Sequence, residues 1–356
     1  MSVSGRLWLD VRPGIGFRLA LDAVPRHQRR MNTEDLKSRL VAGERRALAR
    51  AITLVESGRA DHRAQALDLL EALPKDRQAV RIALSGTPGV GKSTFIESFG
   101  SMLTERGLRV AVLAIDPSSA RTGGSILGDK TRMDRLARDP NAFIRPSPSQ
   151  SHLGGVGRRT REAVSLCEAA GFDVVLIETV GVGQSETVAA QLSDVFVLLL
   201  APAGGDELQG VKRGIMEMAD LILVNKADGD LKPVAMRTCA DYAGALRLLR
   251  KRPQDPQDYP QAMMVSALDQ SGLETAWDAM QTLVAWRRSE GHWDHARAAQ
   301  ARYWLAEDVR QGLLAPLDSP EGRRLLDEMG ARVAAAQTTP TAAAQLVLAQ
   351  LHGSAT

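Results

Sequence analysis

Residues 86–93 read G-T-P-G-V-G-K-S. The spacing G-x-x-x-x-G-K-S is that of a phosphate-binding loop, the Walker A pattern. Gly86, Gly89 and Gly91 let the backbone wrap an anion with its N–H groups turned inward, and Thr87, Pro88 and Val90 complete the loop. Lys92 has the reach for the β- and γ-phosphates. Ser93 offers a hydroxyl to Mg²⁺, and Thr94 follows it at the start of a helix.

A second string, N-K-A-D at 225–228, ends an apolar run. Guanine presents an N1–H and an exocyclic amine on one edge. The carboxylate of Asp228 can accept from both, a charge-assisted pair that adenine cannot offer. Asn225 would brace the loop, and the stem of Lys226 would lie over the base. Ser266, Ala267 and Leu268 read S-A-L after a later apolar run. That matches a short loop whose backbone N–H meets the guanine oxygen. Together these strings predict GTP and GDP as ligands.

Residues 178–181 read E-T-V-G. Gly181 is expected to meet the γ-phosphate through its N–H, with Glu178 near Mg²⁺ and its waters. The long polar loop 116–132 carries Asp116 and Asp129, both candidates for the Mg²⁺ shell. The position after the E-T-V-G glycine, where many small GTPases place a water-orienting glutamine, holds Val182. Gln184 lies two residues on, so slow hydrolysis is expected unless a partner completes the site.

These strings need a scaffold that sets loops at one edge of a sheet. Six apolar runs provide the strands: 81–85, 109–115, 173–178, 194–200, 220–224 and 262–265. They are continuous rather than alternating, as in a parallel sheet covered on both faces. Helical patterns separate them, which predicts an α/β, doubly wound, mostly parallel sheet. Ahead of it, a helix is expected from the cap residues Asn32 and Thr33 through to about Ser57. A shorter one follows around Ala66–Leu73 and stops at Pro74. After Gly272 the chain reads as helices over 273–288, 292–314, 319–335 and 341–351, punctuated by Gly291, Pro316, Pro320 and Pro340. The expected organisation is an extension at 1–31, a helical segment at 32–75, a nucleotide-binding domain at 76–290 and a helical arm at 291–356. An Arg-rich leader can mark an organellar transit peptide, which would place the protein in the mitochondrial matrix, but Asp10, Asp22 and scarce serine favour a disordered extension or an upstream start ahead of a true start at Met31.

Bulk composition excludes little but is consistent. The 356 residues are 44% hydrophobic and 24% charged, with 45 basic against 42 acidic side chains and a net charge of +3. No basic stripe interleaved with aromatics calls for nucleic acid, and no apolar run is long enough to span a bilayer. Cys167 and Cys239 form no metal-type spacing and are expected to be buried in helices, in a reducing compartment such as the cytoplasm. His292 and His295 share a helix face without further ligands, so a surface helix is the expectation. Trp277, Trp286, Trp293 and Trp304 are expected to pack among the C-terminal helices.

The strings S-G-T-P-G-V-G-K-S-T (85–94), D-P-S-S-x-x-T-G-G-S-I-L-G-D-K-T-R-M (116–133), E-T-V-G-V-G-Q-S-E (178–186) and G-D-E-L-Q-G-V-K-R-G-I-M-E (205–217) resemble a specific family. It is that of the GTPase chaperones of methylmalonyl-CoA mutase, which includes sequences once labelled arginine/ornithine transport-associated kinases. The resemblance runs from about residue 35 to 330. It implies a homodimer formed through the C-terminal arm, and binding to an adenosylcobalamin-dependent acyl-CoA mutase. It also implies gating of cofactor delivery and protection of that mutase. Its Mg²⁺ site would involve Ser93, Asp116, Asp129 and Glu178. Lys212, with Asp206 and Glu207, would belong to a switch that approaches the nucleotide when the mutase binds. Ala203 and Gly204 stand where the family often has Gly and Ala. Two other readings compete. A nickel-inserting GTPase would carry a His-rich tract or a Cys-x-Cys near the nucleotide, which this chain lacks. A transporter-associated kinase would have no need of Asp228.

Overall fold

The computed structural model describes residues 26–115, 133–145, 153–179, 185–202, 213–249 and 251–353. Seven strands form one sheet: β1 (Val80–Ser85), β2 (Val110–Ile115), β3 (Ala142–Arg145), β4 (Val174–Thr179), β5 (Val195–Leu200), β6 (Leu221–Val224) and β7 (Gln261–Met264). Their order is β3-β2-β4-β1-β5-β6-β7, and each neighbouring pair is parallel. The six runs read from sequence are all strands. β3 is an addition. Its four residues A-F-I-R are too short to show a period, and pairing with β2 along the sheet edge is what makes them a strand.

Why the runs are continuous is clear from burial. Successive residues face opposite sides of the sheet. Ala83, Leu113, Ile177 and Leu198 enter one core. Leu84, Val112, Leu176 and Val197 enter the other. The first core is closed by α1 (Arg26–Val41), α2 (Arg45–Glu56), α3 (Ala60–Ala72) and α6 (Leu153–Ala169). The second is closed by α4 (Lys92–Glu105), α5 (Asp134–Arg138) and α10 (Leu273–Ser289). The remaining helices along the sheet are α7 (Ser185–Ala190), α8 (Arg213–Met218) and α9 (Lys232–Arg247).

The N-terminal helices differ from expectation in two ways. The first begins at Arg26, ahead of the cap residues Asn32 and Thr33, because R-H-Q-R-R-M are competent helix formers. It also does not run on to Ser57. Gly43 takes φ +81 and turns the chain between α1 and α2, which lets the faces carrying Leu40 and Leu48 bury together.

The chain divides into Pro25–Leu305 and a unit from Ala306 onward. In the latter, the end of α11 (His292–Asp318) is followed by α12 (Pro320–Ala334) and α13 (Pro340–Gly353). Met329, Ala343 and Val347 form their small core, and Ser319 Oγ caps α12 by accepting from Gly322 N at 3.0 Å. Pro316 lies within α11 rather than ending it. It sits in the last turn, where the missing N–H costs a single bond. Cys167 is buried, but Cys239 is only half-buried. Burial pushes both thiols up. Trp277, Trp293 and Trp304 are buried as expected, whereas Trp286 is 38% exposed. No helix among the described residues is long and apolar enough to cross a membrane.

Phe99 shows how the second core holds the phosphate-loop helix. It is fully buried, stacks on Phe95 at 5.1 Å and meets Trp277 edge-on at 6.1 Å. Phe99→Ala is expected to cost about 3–5 kcal/mol, read as a shift in the urea unfolding midpoint. A cost below about 1 kcal/mol would mean that the site collapses and that the ring is not a core anchor.

Candidate functional site: a phosphate loop facing two base-reading loops

β1 is the middle strand, with β4 on one side and β5 on the other. Its carboxyl end is the crevice where open α/β sheets bind ligands. The loop 86–91 leaves β1 there and enters α4. Gly86 has no room for a side chain, since a Cβ would stand 2.3 Å from Leu199 O. Gly91, at φ +90, caps α4 from the left-handed region, and a Cβ there would stand 2.8 Å from Asn225 Nδ2. The glycines therefore serve close approach as well as conformation.

Lys92 lies over this loop and donates from Nζ to Gly86 O at 2.6 Å and to Thr87 O at 3.2 Å. Burial lowers its pKa, while the carboxylates of Glu178 and Glu186 oppose that shift. Both acids are buried, at 5% and 1% exposure. Glu178 is carried by β4, in register with Leu84 of β1. Glu186 opens α7 and was not singled out in the sequence. Its only signal was its place at the end of E-T-V-G-V-G-Q-S-E, and 94 residues of sequence separate it from Lys92. Cation and carboxylates thus share one partly desolvated locality, where charge interactions are stronger than in water. Ser93 and Thr94 follow Lys92 in the first turn of α4.

The loop 225–228 leaves β6 and is bound tightly to the phosphate loop. Asn225 is 1% exposed. Its Nδ2 donates to Val90 O at 2.9 Å, and its Oδ1 accepts from Ala267 N at 3.1 Å. One side chain therefore ties three loops together. Lys226 adopts φ +59, a conformation that costs a non-glycine residue. It donates from Nζ to Gly89 O at 2.8 Å. Asp228 Oδ2 accepts from Ser266 Oγ, and Ser266 Oγ in turn accepts from Asp269 N at 3.0 Å. So Ser266 contributes its hydroxyl, beyond the backbone role read from sequence, and orients the carboxylate. Ser98, nearly two turns into α4, was also missed. It donates to Ala267 O at 2.6 Å, a polar tie between that helix face and the S-A-L loop. Leu268 is exposed.

The structure brings together residues 86–94, Glu178, Asn225, Lys226, Asp228 and 266–268. Asp116, Asp129, Gly181, Gln184 and Lys212 lie outside the described residues. No group of three or more His, Cys, Asp or Glu suited to a metal ion occurs among the described residues. His292 and His295 both fall on α11.

Residues 48–320 match the family described as "Methylmalonyl Co-A mutase-associated GTPase MeaB". The chain is 51% identical over 321 residues to a protein of Caulobacter vibrioides named "Putative GTPase", covering 90% of this chain and 98% of that one. It is 48% identical over 277 residues to the GTPase ArgK of Escherichia coli, covering 78% and 83%. It is 47% identical over 321 residues to the mouse methylmalonic aciduria type A homolog, a mitochondrial protein, covering 87% and 77%. Among solved structures, that of an LAO/AO transport system kinase superposes with a TM-score of 0.70 at 35% identity, covering 92% of this chain and 98% of that one.

Proposed function

The chain belongs to the methylmalonyl Co-A mutase-associated GTPase MeaB family, and from that premise we propose that it is a Mg²⁺-dependent GTPase serving an adenosylcobalamin-dependent acyl-CoA mutase. In this reading GTP turnover gates cofactor loading and protects or reactivates the mutase. The observation that carries the nucleotide assignment is Asn225, whose two hydrogen bonds lock the phosphate loop to both base-reading loops. A site so braced presents Asp228 and the phosphate loop to the two ends of one ligand, which pre-pays part of the ordering cost of binding.

The reaction needs water to attack the γ-phosphorus while negative charge grows on the leaving oxygens. Lys92, partly desolvated and held at the loop, is the group placed to stabilise that charge. The buried Glu178 beside it offers the hard oxygen donor that Mg²⁺ prefers, and we assign Ser93, Asp116, Asp129 and Glu178 as the residues that hold the ion. When bound, Mg²⁺ neutralises charge on the phosphate oxygens. Gly181 contacts the γ-phosphate in this reading, and Gln184 or Lys212 completes the arrangement around the attacking water. The exposed apolar side chains Val309, Leu313, Leu326 and Leu346 in the unit from Ala306 onward support a homodimer built through this arm. The proposed setting is the cytoplasm.

The test combines the purified chain with a B12-dependent acyl-CoA mutase. We expect slow GTP turnover alone and a ten- to hundredfold rise with the mutase, equivalent to about 1.4 to 2.7 kcal/mol off the barrier. Lys212→Ala should lose most of that rise while keeping GTP affinity. Equal stimulation of wild type and Lys212→Ala would move the activating role to Gln184 or Glu178. No stimulation by any such mutase would remove the chaperone reading and leave the GTPase one.

A further inference from the structure

Helix α7 is six residues long and follows directly on residues 180–184. So short a helix has little stability of its own, and its position depends on what it packs against. Its C-terminal end runs into the turn 191–194 and then β5. Along that turn lies α11, with three side chains at i, i+3 and i+7 on one helix face. Arg297 donates to both carboxylate oxygens of Asp194, at 2.9 and 2.7 Å. Gln300 Nε2 donates to Ser193 O at 2.7 Å. Trp304 Nε1 donates to Gln191 O at 3.1 Å.

The Trp304 ring does more than fill space. It is 4% exposed and sits where α6 and α7 meet. A Cβ on Gly157 of α6 would come within 2.7 Å of Trp304 Cη2 and 3.1 Å of Val188 Cγ1 on α7. The glycine is therefore what allows the ring, α6 and α7 to close on one another. Arg161 of α6 lies over the same ring at 5.5 Å. A close-packed contact of this kind transmits displacement rather than absorbing it.

We propose that Trp304 is a positioning residue for GTP hydrolysis. It fixes the C-terminal end of α7, and so sets the helix that follows Gly181 and Gln184 against the phosphate loop. The same contact makes the Trp304 ring respond to the state of the nucleotide. The proposal rests on the reading that this site hydrolyses GTP and that residues 180–184 meet the γ-phosphate. Glu186, at the other end of α7, is buried and its charge acts on Lys92, so this helix also bears on the phosphate loop electrostatically.

Two readouts test it on the full chain. The first is tryptophan emission with GDP and with a non-hydrolysable GTP analogue. Wild type should differ between the two, and Trp304→Phe should lose the difference although the other four tryptophans remain. The second is steady-state kinetics. Trp304→Ala should lower kcat about tenfold with KM within about twofold, since a misplacement near 1 Å is enough for losses of this size. Trp304→Phe and Gln300→Ala, which keep the ring or its bond, should fall between. A merely structural role would lower the melting temperature without a nucleotide-dependent signal and without a kcat loss in the folded protein. Emission that still distinguishes the nucleotides in Trp304→Phe would overturn the proposal. So would wild-type kcat in folded Trp304→Ala or, should that variant not fold, in both milder variants. Failure of wild type to bind GTP by calorimetry would instead overturn the GTPase reading.

Discussion

Replacing Lys92 with alanine is expected to slow GTP hydrolysis by on the order of 10²–10³, the usual loss when a preorganised charge is taken from a developing oxyanion. The ammonium is held by Gly86 O and Thr87 O, so little ordering is left to do when phosphate arrives. Burial has already removed part of its hydration, which strengthens its pull on the γ-phosphoryl oxygens. Nucleotide affinity should fall as well, because the same cation meets the phosphates in the ground state. The measurement is single-turnover hydrolysis at saturating GTP together with GDP binding by calorimetry. Wild-type turnover in Lys92→Ala would place the chemistry elsewhere and would undo the assignment of this loop.

Asp228→Asn is expected to exchange base preference rather than simply weaken it. The carboxylate offers two acceptor oxygens to the paired donors of guanine, and Ser266 Oγ orients it. An amide offers one acceptor and one donor. That mismatches guanine but suits xanthine, which carries a carbonyl in place of the exocyclic amine. Loss of a charge-assisted hydrogen bond costs about 1.5–3 kcal/mol, so GTP should bind roughly tenfold to a hundredfold more weakly or worse. Xanthosine triphosphate should bind better than it does to wild type. Competition binding with GTP, xanthosine triphosphate and ATP reads all three. Unchanged GTP affinity in Asp228→Asn, or wild type binding ATP as tightly as GTP, would show that this loop does not read guanine. The effect should be confined to the base end, because Asn225 and Lys226 hold the loop to the phosphate loop independently of Asp228.

Sequence alone determined the parallel sheet and picked out the phosphate loop and the N-K-A-D loop at its edge, because those signals are local. An apolar run covered on both faces shows itself within six residues. A phosphate loop shows itself within eight, since backbone approach demands glycine at fixed positions. N-K-A-D gained its meaning from the strand immediately before it. Tertiary structure decided what depends on pairing across distance. β3 is a strand only because β2 offers it an edge. Gly43 is a break only because α1 and α2 must both turn apolar faces onto α6 and the sheet. Pro316 is tolerated because it falls in a final turn. Glu186 comes near enough to act on the Lys92 charge, and Ser98 bonds to Ala267 across 169 residues, a proximity that no spacing records. Trp304 reads in sequence as one more aromatic in an amphipathic helix. Its contact with Gly157, and its bond to the end of α7, exist only once α6, α7 and α11 are assembled, since a buried contact is selected by the shape of all its neighbours together.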